Sequence, residues 1–181
     1  MPKLYRIIKF KRNCGSCGGS LVQFQAGDVE VNALPFAIGK VLVMSDIRTD
    51  DVRGNHAHHE TEEILVALSG GCVVEMDDGK GCTETVRVGV GACGGSGVVE
   101  YGGKGVRNSP NNQYPITNNP DVKEALLLHP HIWRVMRDFE PDTVLLVVAN
   151  MKYDEADYIR SREEFEKLAK KWTGLGGSAP R

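Results

Sequence analysis

Two histidines two residues apart, His56 and His58, with a glutamate five residues further on, Glu63, are where this chain most plainly carries chemistry. They lie in RGNHAHHETEEILVALSG, which begins at Arg53. On a β-strand, residues two apart project to one face, so the imidazoles of His56 and His58 reach a common ligand while Ala57 and His59 turn away. If the chain reverses after His58, Glu63 brings a carboxylate to the same place from the next strand. Such a cluster suits two chemistries. A divalent metal ion needs three or more convergent ligands, which His56, His58 and Glu63 begin and His129 or His131 completes. General acid–base catalysis needs one imidazole titrating near neutrality beside an acidic C–H, with polar neighbours that fix its tautomer. The residues alone admit both.

The elements that must hold these groups are short. Apolar or alternating stretches recur at YRIIKF from Tyr5, SLVQFQ from Ser20, KVLVMS from Lys40 and EILVAL from Glu63. They continue at CVVEM from Cys72, ETVRV from Glu84, ALLLH from Ala125 and TVLLVVA from Thr143. Stretches of this length, rich in β-branched residues and punctuated by Gly, Pro, Asn and Asp, predict an all-β sandwich or barrel. LSGG from Leu68 and DDGK from Asp77 supply the glycines of two hairpin turns, and Asp77 and Asp78 there are turn residues, not an acid–base pair. One helix is predicted. SREEFEKLAKKW puts Phe165, Leu168, Ala169 and Trp172 on one stripe, with acids early and lysines late, so it packs outside the barrel. Residues 1–172 thus form one domain and 173–181 a flexible tail. Residues 89–118, rich in Gly and Asn, read as a long inserted loop or flap.

At 181 residues the chain can bury a full core. A net charge of −2 and a pI near 6.2 offer no basic field for nucleic acid. No apolar run approaches the roughly 20 residues of a membrane span. The N-terminal MPKLYRIIKFKRN mixes charged and apolar residues and lacks a signal-like apolar core, so a soluble, cytoplasmic protein is expected. Five cysteines suggest reduced thiols. Cys14 and Cys17 form a C-x-x-C in a glycine-rich turn, and Cys72, Cys82 and Cys93 provide no matching second pair for zinc.

The spacing H-x-H-x4-E-x6-G, ending at Gly70, resembles the first motif of the cupin superfamily. RGNHAH, LSGGCVVEMDDG, the P-x-x-W of HPHIW, MRDF, VLLVVAN and YDEADYIRSREEF together resemble the cupin family of sugar-nucleotide 3,4-ketoisomerases, also called WxcM-like. LPFAIGKVLVM matches an early strand of that family. The resemblance implies a cupin/RmlC-like jelly-roll β-barrel with a C-terminal helix, assembled as a homodimer. It implies an isomerase, with no metal or other cofactor, acting on a thymidine diphosphate (dTDP) 4-keto-6-deoxyhexose in deoxysugar and polysaccharide biosynthesis. His56 and His58 would be catalytic, moving a proton from C3 to C4 through an enediol. The family's tyrosines on the strand before the histidines are absent at Leu42 and Val43, and its glutamine is Glu63 here, which favours a metal more than the family would.

Other residues are candidates around that site. Arg53 and Asn55 flank the histidines and suit the developing enediolate oxygen or the diphosphate. Glu63 and His131 offer polar contacts, Trp133 a stacking surface, and Arg134 and Arg137 anion contacts. Tyr153, Asp154, Asp157, Tyr158 and Arg160 suggest a polar network, or a helix cap, at the turn into the last helix.

Overall fold

The computed structural model describes residues 4–14, 20–26, 32–90, 96–100 and 122–172. Twelve strands and one α-helix are seen among them. The strands are β1 (Tyr5–Cys14), β2 (Ser20–Val22), β3 (Lys40–Met44), β4 (Arg53–His58), β5 (Glu63–Ser69), β6 (Gly71–Asp77), β7 (Thr83–Val90), β8 (Ser96–Glu100), β9 (Val122–Leu128), β10 (Trp133–Arg137), β11 (Val144–Ala149) and β12 (Tyr158–Ile159). The helix is α1 (Arg162–Trp172).

Two six-stranded antiparallel sheets form, ordered β2-β1-β9-β5-β11-β3 and β12-β4-β10-β6-β7-β8. Their facing sides enclose the main core, where Leu65, Leu126, Leu145 and Val147 of the first meet Val74, Met76, Val86 and Met136 of the second. The outer side of the first sheet is covered too, since Ile64, Val66 and Leu127 pack with Phe10 and Leu34. Burial on both faces is why β5 reads as the continuous apolar run ILVA rather than an alternation. Helix α1 seals the outer side of the second sheet, burying Phe165 and Ala169 against Ala57, Trp133 and Ile159. This is the two-sheet, jelly-roll architecture that the sequence predicts, with its helix outside. No helix among the described residues is long and apolar enough to cross a membrane.

Three connections need comment. DDGK is a hairpin, since β6 and β7 pair from Gly71–Gly89 to Asp77–Thr83. LSGG is not a hairpin. β5 and β6 lie in different sheets, and Gly70, at φ 59°, turns the chain from one to the other. The stretch 89–118 is not loop throughout, because β7 runs to Val90 and β8 pairs with it. The remainder of that stretch, Cys14's thiol with Cys17, Cys93 and the tail lie outside what is described. Cys72 is a buried free thiol and Cys82 a half-buried one.

The strand that carries the histidines departs from regular alternation. His56 lies opposite Arg134, then the register shifts and Gly54 faces Val135 and Arg53 faces Met136. Asn55 is the extra residue. Gly54 (φ 80°) and Asn55 (φ 54°) both take left-handed backbone, and a Cβ on Gly54 would meet the Arg134 carbonyl oxygen at 2.7 Å. Glycine is therefore required in this bulge by conformation and by contact. Directly opposed residues share a sheet face. The bulge thus returns Arg53 to the inner face with His56, Arg134 and Met136, where strict alternation would put it outside.

Candidate active site

His58 is completely buried. Its Nδ1 lies 2.8 Å from Oδ2 of Asp157, and because a carboxylate only accepts, Nδ1 carries the ring proton and donates it. Asp157 is held in turn by the Thr61 hydroxyl at 2.5 Å and the Glu60 N–H at 2.8 Å. Burial alone would raise its pKa, yet those donors and His58 lower it, so it is ionised. His58 Nε2 is left with no hydrogen-bond partner among the described residues, 3.4 Å from Oε1 of Glu63.

His56 is oriented by the same logic. Its Nδ1 is 3.0 Å from the Gly54 carbonyl oxygen, which the bulge turns toward it, so here too Nδ1 donates and Nε2 keeps the lone pair. Burial, followed by the charge of Arg134, pushes its pKa down to about 4, which leaves it neutral at physiological pH. The two rings meet edge to face with centroids 4.9 Å apart. Two imidazoles thus stand with fixed tautomers.

Glu63 and Arg134 supply the charges. Arg134 is fully buried, and its Nε, Nη1 and Nη2 have no hydrogen-bond partner among the described residues. Its nearest carboxylate oxygen is Oε2 of Glu63 at 3.9 Å, too far for a hydrogen bond. Burial would raise the Glu63 pKa, but the guanidinium and the neighbouring imidazoles hold it down at about 2. Buried polar atoms are normally satisfied, so four unpartnered nitrogens in one place mark a site that an oxygen-bearing ligand completes. Arg134 lines a cavity of about 120 Å³ between the sheets together with His56, Glu63, Tyr158 and apolar side chains that include Leu42 and Met44. His58, which is not itself in that lining, packs against the rings of His56 and Tyr158.

Several expected residues join this cavity and others do not. His56, Glu63 and Arg134 line it, and Arg53, half of whose side chain is exposed, sits on the same face with its guanidinium 2.7 Å from Asp51. Asn55 is exposed in the bulge. Trp133 lies outside the barrel in contact with Phe165, because adjacent strand residues face opposite ways and Arg134 takes the inner one. His131 stacks on Trp172 of α1 with ring centroids 3.8 Å apart. His129 bonds Glu62 at 2.9 Å and does not meet the histidine pair. A metal set among the described residues therefore has three members, His56, His58 and Glu63, with ligand atoms within 4.8 Å of one another. Arg137 pairs with Glu75.

Two residues of the suspected network at 153–160 belong to the site. Asp157 orients His58, and Tyr158, opposite His58 in the β4–β12 pairing, packs its ring 4.3 Å from that imidazole. The density of polar side chains in YDEADYIR was the available signal. Its attachment to a strand ninety-nine residues earlier was not readable from spacing. Asp154 caps a short 3-10 helix, Glu155–Asp157, rather than α1, accepting from the Ala156 N–H.

The model of the family FdtA (WxcM-like, C-terminal) matches residues 3–88 and 106–170. A TDP-4-oxo-6-deoxy-alpha-D-glucose-3,4-oxoisomerase of Aneurinibacillus thermoaerophilus is 31% identical over 166 residues, spanning 92% of this chain and 93% of that protein. Among solved structures, a mutant of the 3,4-ketoisomerase QdtA of Thermoanaerobacterium thermosaccharolyticum in complex with TDP-4-keto-6-deoxyglucose superposes with a TM-score of 0.68. It is 26% identical and covers 94% of this chain and 97% of its own. WlaRA, a TDP-fucose-3,4-ketoisomerase of Campylobacter jejuni, gives 0.65 at 28% identity, covering 93% and 98%.

Proposed function

We propose for this chain, which belongs to the FdtA (WxcM-like, C-terminal) family, the 3,4-isomerisation of a dTDP-linked 4-keto-6-deoxyhexose to its 3-keto isomer. The observation that carries the reading is a buried imidazole, His58, with Nδ1 tied to Asp157 and Nε2 unpartnered 3.4 Å from one oxygen of Glu63, whose other oxygen lies 3.9 Å from the unpartnered guanidinium of Arg134. The C4 ketone acidifies the C3–H bond. His58 Nε2 takes that proton, and the imidazolium that forms is stabilised by Asp157 on one side and Glu63 on the other. Arg134 donates to the oxygen on which enediolate charge develops, in a site where little water competes. Neutral His56 accepts a hydrogen bond from a sugar hydroxyl through Nε2. Return of the carbon-bound proton at C4 leaves the ketone at C3.

One carbon is oxidised and its neighbour reduced within the same molecule, so the reaction balances without a redox cofactor. No metal is part of this proposal. The fixed positive charge of Arg134 beside Glu63 opposes a dication on the same carboxylate, which supports the metal-free reading over one in which His56, His58 and Glu63 hold an ion. Arg53, at the rim on the inner face, is placed to meet the diphosphate. A cytoplasmic setting fits the buried free thiol of Cys72.

Proton NMR in D2O with EDTA-treated protein and dTDP-4-keto-6-deoxyglucose tests the reaction. Loss of the C3–H signal together with appearance of a 3-keto sugar is expected. An intact C3–H signal after prolonged incubation sinks the reading.

A homodimer is also part of the proposal. Strand β3 is the last of its sheet, and Val41 and Val43 on it are 53% and 61% exposed. An uncovered apolar edge strand is ordinarily masked by another chain. Light scattering should give about twice the 19.8 kDa chain mass, and Val43→Asp should shift the protein to monomer. A wild-type monomer at micromolar concentration contradicts the dimer.

A further inference from the structure

Moving a ketone from C4 to C3 relocates two protons. One passes from carbon to carbon and the other from the C3 hydroxyl oxygen to the former C4 carbonyl oxygen. The second transfer needs a group that can give a proton to one oxygen and accept one from the other. Of the groups lining the cavity, Arg134 only donates, because a guanidinium keeps its protons. Glu63 is ionised and has no proton to give. His56 commits Nδ1–H to the Gly54 carbonyl, so its Nε2 only accepts. Leu42 and Met44, the contribution of β3 to the wall, carry no hydroxyl. Tyr158 is the remaining polar side chain in the lining, and its phenol can do both.

We infer that Tyr158, with Lys40 behind its hydroxyl, is the relay that carries the sugar's hydroxyl proton from O3 to O4. The role rests on the ketoisomerase reading. Pairing across β12 and β4 puts Tyr158 on the face of the histidines, with its ring centroid 4.3 Å from that of His58 and 5.1 Å from that of His56. Lys40, at the start of β3 in the other sheet, places Nζ 3.3 Å from the phenol oxygen. An ammonium only donates, so the phenol oxygen accepts from Lys40 and its own O–H is left to point elsewhere. The Arg160 guanidinium covers the ring at 4.3 Å from its centroid, which holds the ring in place.

The step balances. As electron density from the broken C3–H bond reaches O4, the phenol O–H bond breaks and an O4–H bond forms. The phenolate oxygen then takes the O3 proton, the O3–H bond breaks, and C3 becomes the carbonyl carbon as C4 receives the proton held by His58. Tyr158 ends as it began. Lys40 is a positioning residue that also offsets the negative charge the phenol oxygen carries between the two transfers.

Proton NMR in D2O separates this role from a structural one, because His58 acts before the relay. In Tyr158→Phe, exchange of C3–H with solvent should stay within a few-fold of wild type while 3-keto product forms roughly 100-fold more slowly. Lys40→Met should show the same split to a smaller degree, about 10-fold, and Lys40→Arg should restore most of the rate. Product formation within a few-fold of wild type in Tyr158→Phe overturns the relay. Equal losses of exchange and product in a folded Tyr158→Phe protein that still binds dTDP also overturn it, and make Tyr158 a wall of the pocket instead. A wild-type protein that neither exchanges nor isomerises removes the underlying reading and the relay with it.

Discussion

His58→Gln lowers turnover by roughly a thousandfold or more, with the fold retained. The imidazole is the one group here with a free nitrogen lone pair and a carboxylate behind it, since Nδ1 is committed to Asp157 at 2.8 Å. A carboxamide keeps a hydrogen-bond donor for Asp157 and nearly the same volume, so the packing between β4 and β12 survives. It cannot accept a proton from carbon. Turnover with saturating substrate, read beside thermal unfolding, separates chemistry from stability. The loss should fall on kcat, because the carbon-bound proton moves only after the sugar is bound. Activity within tenfold of wild type in a folded variant excludes His58 as the base.

His58 shows where reading the sequence succeeds. Period-two alternation is enough to send His56 and His58 to one face, and the spacing to Glu63 brings the carboxylate round on the next strand. The all-β framework and the outer helix followed from runs such as TVLLVVA and the stripe of Phe165 and Ala169. What could not be read was parity and long-range pairing. Trp133 and Arg134 are neighbours, so only one can face inward, and the β10 register settles that it is Arg134. Arg53 has the wrong parity for the site until the bulge at Gly54 and Asn55 reverses it, and a bulge depends on the partner strand as well as on its own residues. Asp157 sits in a segment that looked polar and useful, yet its bond to His58 spans ninety-nine residues of chain. LSGG carries the composition of a hairpin and instead crosses between sheets, because turn chemistry specifies backbone angles but not which strands pair.

Arg134→Met should lower turnover by about 100- to 1,000-fold, the range found when a donor to a developing oxyanion is removed. The same change should destabilise the protein by roughly 3–5 kcal/mol, because it strands the Glu63 carboxylate in a buried site without its cation. A second substitution separates the two effects. Adding Glu63→Gln removes the stranded charge, so the double variant should recover most of the lost stability, but it supplies no new donor and should not recover turnover. Double-variant turnover near that of Glu63→Gln alone means that Arg134 serves only to neutralise Glu63, and its assignment to the enediolate oxygen is then wrong. The pH dependence adds an independent sign. In the wild type the Glu63 pKa is depressed from 4.5 to about 2, so its contribution to stability is complete above 4.5 and is lost as pH falls toward 2. Without Arg134, the burial that raises this pKa loses its largest opponent. The stability deficit of Arg134→Met relative to wild type should therefore be greatest at neutral pH and shrink as acid protonates the buried carboxyl. A deficit independent of pH locates the damage in packing around the lost side chain rather than in the charge of Glu63.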